Sequence, residues 1–359
     1  MVKSLVASEK VTPFRRVSLG TKLKLDFLKI NSKENYIMSK VKKESLDRLN
    51  ADTAGIDIGS RSHYVCVGKE KDKNNIREFG NFTNDLIDLS RWLKACKIKS
   101  VAIESTGVYW IPCFQQLEKD GFKVVLVNAR HVKNVPGRKT DVKDCQWLQE
   151  LHSYGLLKAS FRPQDAIVKL RSYVRQRDTL IRQRAKSIQH MQKALDQMNV
   201  QVHHIVTDIT GQTGMKIMSA IIEGEYDPKK LSMLRNPGVK ASIDTIEKAL
   251  NGDFREDHLF VLKQSYTIYL FYQKQIEECD LATKKYYHTL NKKGDLSNLS
   301  KRRKNTSKWS GNYINFDARK ELFSISGVDL TQIPGIEEIT AQVILSEIGL
   351  DISKWKTEK

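Results

Sequence analysis

The sequence lacks the features that mark several common protein classes. Its five cysteines are dispersed, with no CxxC pair, which is unlike both a disulfide framework and a zinc finger. No stretch approaches the roughly 18 consecutive apolar residues of a membrane-spanning helix, and the N-terminus has no apolar signal segment. Neither a phosphate-binding loop nor a dinucleotide-binding glycine pattern is present. We therefore expect a protein of the reducing cytoplasm that has no contact with a membrane.

The charge of the chain is strongly one-sided. Lys and Arg number 61 against 42 Asp and Glu, which gives a formal net charge of +19. Hydrophobic residues make up 40% of the 359 residues, so the chain is expected to fold rather than to stay disordered. Nucleic acid is the expected partner, because Lys and Arg gain affinity by neutralising phosphates. The alternative is a basic surface that serves only solubility.

Changes of pattern divide the chain into five segments. These are a basic N-terminal extension (1–52), an α/β domain (53–160), a helical region (161–290), a basic linker (291–318) and the beginning of a further helical domain (319–359). A start of translation at Met38 is an alternative origin for the first of them.

The α/β domain opens on two alternating, β-branched runs separated by a Gly/Ser/Arg turn, which predict an antiparallel hairpin over residues 54–67. A third strand is expected over 76–82, followed by a helix with Asn84 as its N-cap. The strand–helix–strand pattern over 101–127 predicts parallel pairing. Together these elements predict a mixed sheet of the α/β class.

Four carboxylates stand out by their positions. Asp57 lies mid-strand between isoleucines and Glu104 ends a later strand, where an acid is costly unless it is paired or bound to a cation. Asp141 and Asp144 lie three residues apart on one face of a predicted helix. For Asp141 the alternative is structural, because Thr140 is a plausible N-cap and an acid in the first turn favours the helix dipole.

Oxygen ligands without a His/Cys cluster favour Mg²⁺ or Mn²⁺ over zinc. Such ions serve phosphoryl transfer, and two of them about 3.5–4 Å apart can clamp the attacking and leaving oxygens. The substrate in a basic chain would be a nucleic-acid backbone, although purely structural acids remain the alternative. Nearby, His63 is either a general base or an ordinary turn histidine. The stretch Gly107–Trp110 either shapes a pocket wall or covers the sheet edge.

A long helix is predicted over Asp165–Met198, because apolar residues recur every seven positions. The second set of heptad positions, three residues after the first, is only partly apolar because it includes Arg177 and Arg184. This favours a helical hairpin or a coiled-coil contact over an apolar zipper. A second long helix is expected over 258–290, with tyrosines that pack on the first helix rather than stack on bases. Near the C-terminus, 330–348 resembles a helix-hairpin-helix, whose backbone can hold a phosphate.

The sequence resembles the DEDD transposases of bacterial insertion sequences, the one-ten family that includes Piv-like DNA invertases. The block Lys139–Asp144 is the most specific part, and the resemblance extends from Thr53 to the last residue. It is carried by the stretches Gly55–Gly59 with His63, Ala102–Trp110, Val127–Asp144, Asp208–Gly214 and Leu330–Ile336.

This resemblance implies a RuvC-like, RNase H-type catalytic domain that binds Mg²⁺ or Mn²⁺. It implies a coiled-coil region used in assembly, a C-terminal transposase domain, and a homo-oligomer (dimer or tetramer) acting on DNA with a structured guide RNA. The residues that correspond to the metal-binding and catalytic tetrad are Asp57, Glu104, Asp141 and Asp144.

The chain departs from the family near its end. Family members continue beyond the position of Lys359 through a segment with a serine that attacks DNA. No serine near the C-terminus matches that motif, so we expect the chain to bind metal and nucleic acid without completing strand exchange alone. Two alternatives are a metal-dependent, structure-specific DNA endonuclease and an inactive nucleic-acid-binding remnant. The serines considered are Ser324, Ser326, Ser346 and Ser353.

Overall fold

The chain divides into two compact units, one up to Phe161 and one from Arg162 onward. The computed structural model describes residues 48–128, 141–301, 312–351 and 355, and of residues 141–143 only the backbone. Most of the basic extension and part of the basic linker therefore lie outside the described residues, as does the proposed N-cap Thr140.

The first unit is built on a five-stranded mixed sheet with the strand order β3-β2-β1-β4-β5. Strands β1, β2 and β3 pair antiparallel, whereas β4 pairs parallel with both β1 and β5. The predicted hairpin and the predicted mixed sheet of the α/β class are confirmed. The strands are β1 (Thr53–Ile58), β2 (Ser62–Val67), β3 (Ile76–Gly80), β4 (Ser100–Glu104) and β5 (Lys123–Val127).

Helices cover both faces of this sheet, which explains its buried, β-branched strands. Helices α1 (Thr83–Ala95) and α2 (Trp110–Lys119) share a core with Ala54, Ile56 and Ile58 of β1. The residues between these positions point to the opposite face, because side chains alternate along a strand. Helix α3 (Asp141–Ser153) covers that opposite face.

The start of α1 differs from the sequence prediction. The N-cap residue is Phe82, not Asn84. The carboxylate of Asp85 accepts a hydrogen bond from the Phe82 backbone N–H at 3.1 Å. An acid at the third helical position thus satisfies an exposed backbone donor, which leaves Asn84 inside the first turn.

Helix α3 packs directly on the backbone of β1 at Gly55. A Cβ atom on Gly55 would overlap the backbone N of Gln149 and the carbonyl oxygen of Cys145. Further back along β1, Gln149 Nε2 donates to Thr53 Oγ1 at 3.3 Å, and Asn50 N donates to Ser153 O at 2.9 Å. Helix α3 therefore runs antiparallel to β1, with its N-terminus at the carboxyl end of that strand.

The second unit is helical and contains two long helices that pack on each other, α4 and α9. No helix in the described part of the chain is long and apolar enough to cross a membrane. Two 3₁₀ turns, Leu296–Asn298 and Leu330–Gln332, accompany the helices. These are α4 (Asp165–Gln197), α5 (Val202–Ile205), α6 (Gln212–Ile222), α7 (Pro228–Ser232), α8 (Ile243–Leu250), α9 (Glu256–Thr289), α10 (Ala318–Ser326) and α11 (Glu338–Ile348).

Two buried arginines interrupt the apolar seam of α4. Arg177 donates from Nε to Asp280 of α9 at 2.6 Å and from Nη2 to the carbonyls of Asn312 and Tyr313 at 3.0 and 2.9 Å. Arg184 donates to the Asn312 side chain at 2.7 Å. Buried charges need such partners, so this network ties both long helices to the segment that precedes α10.

The tyrosines of α9 pack within the helical core, as predicted. Tyr269 is buried in the core that α4 shares with α6 and α8, and Tyr266 packs against the same cluster. Tyr272 packs against a smaller cluster that includes Leu180 of α4 and Ile276. A coiled coil in the strict sense stays a prediction.

We predict that Gly55→Ala destabilises the first unit by about 2–3 kcal/mol, because the added methyl group would force α3 away from β1. Gly238→Ala is the matched control, since a Cβ there meets nothing within 4 Å, and it should change the free energy of unfolding by less than about 0.5 kcal/mol. Urea unfolding of the full chain measures both. Equal midpoints for the two variants would show that α3 does not rest on the β1 backbone.

Candidate metal and nucleic-acid site

The first two predicted site residues lie at the ends of neighbouring strands. Strands β1 and β4 pair in parallel from Thr53↔Ser100 to Ile56↔Ile103, so the next position in this register sets Asp57 beside Glu104. Both side chains point to the face covered by α3, because they alternate with the residues of the opposite core. Glu104 is only 6% exposed and Asp57 is half-buried.

The other two predicted residues belong to the first turn of α3. Asp141 is the first residue of this helix, and its side chain lies outside the described residues. Asp144 is half-buried and precedes Cys145, whose carbonyl faces Gly55. The structure thus brings Asp57, Glu104 and Asp144 to one end of the sheet, together with the backbone of Asp141.

The pKa of the Cys145 thiol is affected by the charge of Asp57. This pKa is raised first by a hydrogen bond with the buried Cys66 thiol, then by burial, and further by the negative charge of Asp57. Cys66 lies opposite Gly55 in the hairpin register, on the same face of the sheet. The carboxylate of Asp57 therefore acts on the first turns of α3.

The donor chemistry at this end of the sheet suits a hard cation, because the predicted ligands are carboxylate oxygens. Among the residues whose side chains are described, no three of His, Cys, Asp or Glu are grouped closely enough to hold a metal ion. Asp141 is outside that set. The four predicted ligands belong to segments that meet at one end of the sheet, as a metal site requires. That the four carboxylates assemble around an ion stays a prediction.

His63 does not belong to this group of acids. It lies within β2 opposite Ile58, so its ring points to the core face, away from Asp57. The ring is fully buried, and neither nitrogen has a hydrogen-bond partner of good geometry among the described residues. Burial lowers the pKa of His63, and the nearby Asn81 side chain and Ser62 backbone offset this only in part. The structure favours a core histidine over a general base.

The stretch after Glu104 divides into an inward and an outward part. Trp110 packs edge-on against Phe114, with ring centroids 5.5 Å apart, and contributes to the core under α2. Val108 and Tyr109 are exposed. Arg61, in the turn between β1 and β2, is also exposed at this end of the sheet. Sequence reasoning did not single out Arg61, although an arginine in a strand-end turn beside Asp57 was a usable signal.

Part of the chain matches a known protein family. Residues 54–200 match the model of the IS110 family of DEDD transposases, which is described as a transposase. This chain carries a DEDD transposase domain. The match begins in β1, includes all five strands and extends to the end of α4. No curated protein matches the chain. The match supports the family resemblance over residues 54–200 and, in general terms, a transposase or recombinase type of function. The similar stretches Asp208–Gly214 and Leu330–Ile336 lie outside it.

We predict that the protein loses stability as the pH falls below about 6.5, in part through His63. Burial disfavours the charged imidazole in the folded state, so the unfolded chain binds the proton more readily and is stabilised in acid. His152 contributes in the same direction, because burial and Lys123 lower its pKa.

His63→Leu should therefore reduce the loss of stability between pH 7 and pH 5. His190→Gln, at an exposed position of α4, should leave that loss unchanged. Thermal unfolding at a series of pH values is the measurement. An unaltered pH dependence in His63→Leu would contradict the assignment.

Proposed function

We propose that this protein is a DNA transposase of an insertion sequence and that it acts on the DNA backbone at a divalent-metal site. The observation that carries the proposal is the placement of the acids. Asp57 and Glu104 lie at the carboxyl ends of adjacent parallel strands, and α3 begins with Asp141 at the same end of the sheet. We also propose that the sheet has the RuvC-like, RNase H-type architecture of such enzymes.

In this proposal Asp57, Glu104, Asp141 and Asp144 hold Mg²⁺ or Mn²⁺. The bound ion would polarise a phosphate oxygen and favour a deprotonated attacking oxygen. The two strand ends fix the positions of Asp57 and Glu104 through the backbone ladder. The N-terminus of α3, the positive end of the helix dipole, lies at the same end of the sheet. Burial of Glu104 keeps competing water away from one side of the site.

DNA binding is supported by the excess of 19 positive charges and by their distribution on α4. Arg182, Lys186 and Lys193 are exposed and recur at spacings of four and seven, which places them on one face of the helix. Such a row suits contact with successive phosphates of a duplex. We propose DNA and a structured guide RNA as the polyanions that the protein binds, in the cytoplasm.

Assembly into a dimer or tetramer is part of the same proposal. Helix α9 carries exposed apolar residues, among them Phe260, Ile268 and Phe271, on the side away from its buried seam. Exposed apolar rows of this kind are typical of helix–helix contacts between subunits.

The metal site is tested by stability rather than by turnover. Saturating Mg²⁺ or Mn²⁺ should raise the thermal midpoint of the wild-type protein by several degrees, because an ion that binds only the folded state stabilises it. Asp57→Asn and Glu104→Gln should each weaken the apparent metal affinity by at least about tenfold, as expected when a ligand is lost.

Asp88→Asn is the control, because Asp88 is an exposed acid of α1 that pairs with Arg91. It should retain the full metal response. Metal stabilisation of undiminished size in Asp57→Asn would rule out the proposed site. Metal-dependent nicking of DNA that carries the ends of the element should disappear in the same two site variants.

The affinity for duplex DNA should fall steeply with salt, since counterions are released when phosphates are neutralised. Alanine at both Arg182 and Lys186 should reduce the slope of log affinity against log salt by about two, one for each lost phosphate contact. Alanine at both Lys229 and Lys230 of α7 is the control. An unchanged slope in the α4 variant would show that this face does not contact the backbone.

A further inference from the structure

Three large apolar side chains are exposed directly after Glu104. Val108 is 66% exposed, Tyr109 44% and Ile111 37%, and we refer to these three residues as the Tyr109 patch. Isolated apolar residues are common on protein surfaces, but a contiguous group beside a site of charged residues is typical of a binding surface. The patch follows β4 and so lies at the carboxyl end of β1 and β4, where Asp57 and Glu104 are found.

The backbone that presents the patch is well ordered by hydrogen bonds. Ser105 N donates to Val127 O at 2.9 Å, which extends the β4–β5 ladder by one residue, and Thr106 N donates to Glu104 O at 3.0 Å. Gly107 then turns the chain with φ at 53°, a left-handed conformation that suits glycine. The position of Tyr109 is therefore fixed relative to Glu104.

The neighbours of Tyr109 in the chain are a glycine turn and a tryptophan of the core. A Cβ atom on Gly107 would lie 3.5 Å from Tyr109 Cδ2, so the ring packs over the glycine backbone. On the other side, Trp110 is anchored in the core against Phe114. Tyr109 is therefore exposed between a left-handed glycine and a residue anchored in the core.

The surroundings indicate which ligand the patch fits. Arg61 is exposed in the turn that follows Asp57, so a cation, the acids and an aromatic ring share one end of the sheet. A strand of nucleic acid carries both phosphates and flat apolar bases, and unpaired bases stack readily on tyrosine. The bases of an intact duplex are stacked on each other and leave no free face for such a contact.

We propose that the Tyr109 patch binds an unpaired base of the nucleic-acid strand whose phosphate lies at Asp57 and Glu104. The inference rests on the proposed function and adds to it the conformation of the DNA strand at the acids. The strand next to the acids is locally single-stranded or splayed. Tyr109 acts as a positioning residue, with Val108 and Ile111 beside the ring.

The test compares the affinity for a single-stranded DNA with the affinity for the matched duplex. The single strand contains 5-iododeoxyuridine and has roughly 30 nucleotides, which exceeds the 4–16 nucleotides of one common single-strand site. Tyr109→Ala should weaken single-strand binding about tenfold, with a much smaller effect on the duplex. The slope of log affinity against log salt should stay unchanged, because no phosphate contact is removed. Tyr109→Phe should retain wild-type affinity, as should Met233→Ala, which alters an exposed apolar residue directly after α7.

Ultraviolet crosslinking on the wild-type protein supplies a second measurement that does not depend on any variant. The crosslinked base should map to the peptide that contains Tyr109. Tyr109→Ala that binds single strands within twofold of wild type would overturn the inference while leaving the proposed function intact. If Tyr109→Ala lowers the thermal stability but leaves the DNA affinity unchanged, the inference is overturned as well. Such a result would mean that the ring packs against other groups of the protein and not against DNA. Absence of any DNA binding by the wild-type protein would overturn both proposals.

Discussion

The contact between Gly55 and helix α3 is the constraint on which the first unit depends. Because Gly55 has no side chain, the backbone of α3 at Cys145 and Gln149 lies directly on β1. Two hydrogen bonds further back along the strand, from Gln149 to Thr53 and from Asn50 to Ser153, fix the direction of the helix. The N-terminus of α3 must then fall where β1 ends. A bulkier residue at position 55 would separate the helix from the strand-end acids without altering any of those acids.

The two faces of the sheet divide the chemistry of the unit. Ala54, Ile56 and Ile58 build the core with α1 and α2, and His63 joins them on that face. The intervening positions face α3, so Asp57 and Glu104 share a face with Gly55. A shift of one residue in the pairing of β1 would exchange the two sets. It would bury the acid among isoleucines, so the apolar core on one face stabilises the position of the acids on the other.

The sequence was most informative where local pattern decides structure. Alternation predicted the hairpin, because period-two burial is visible in the residues themselves. It failed at the start of α1, where the Asp85 carboxylate reaches the Phe82 backbone and Asn84 gives no cap. The sequence pattern also did not decide which face of the sheet His63 occupies, because that depends on the pairing register of β1 and β2. Neither the proximity of Asp57 and Glu104 nor the antiparallel course of α3 follows from local pattern, because both depend on contacts across many residues.

The same limit explains the arginines in the seam of α4. A heptad pattern with Arg177 and Arg184 indicates a weak zipper when α4 is considered alone. In the folded protein Arg177 is satisfied by Asp280 of α9 and by two carbonyls of the segment before α10. A buried guanidinium without these partners would be strongly destabilising. The pairing of α4 with α9 and the docking of Asn312 and Tyr313 are therefore energetically linked. An apolar seam would allow the two helices to slide in register, whereas this network requires one register, and with it one position for the chain that leads into α10.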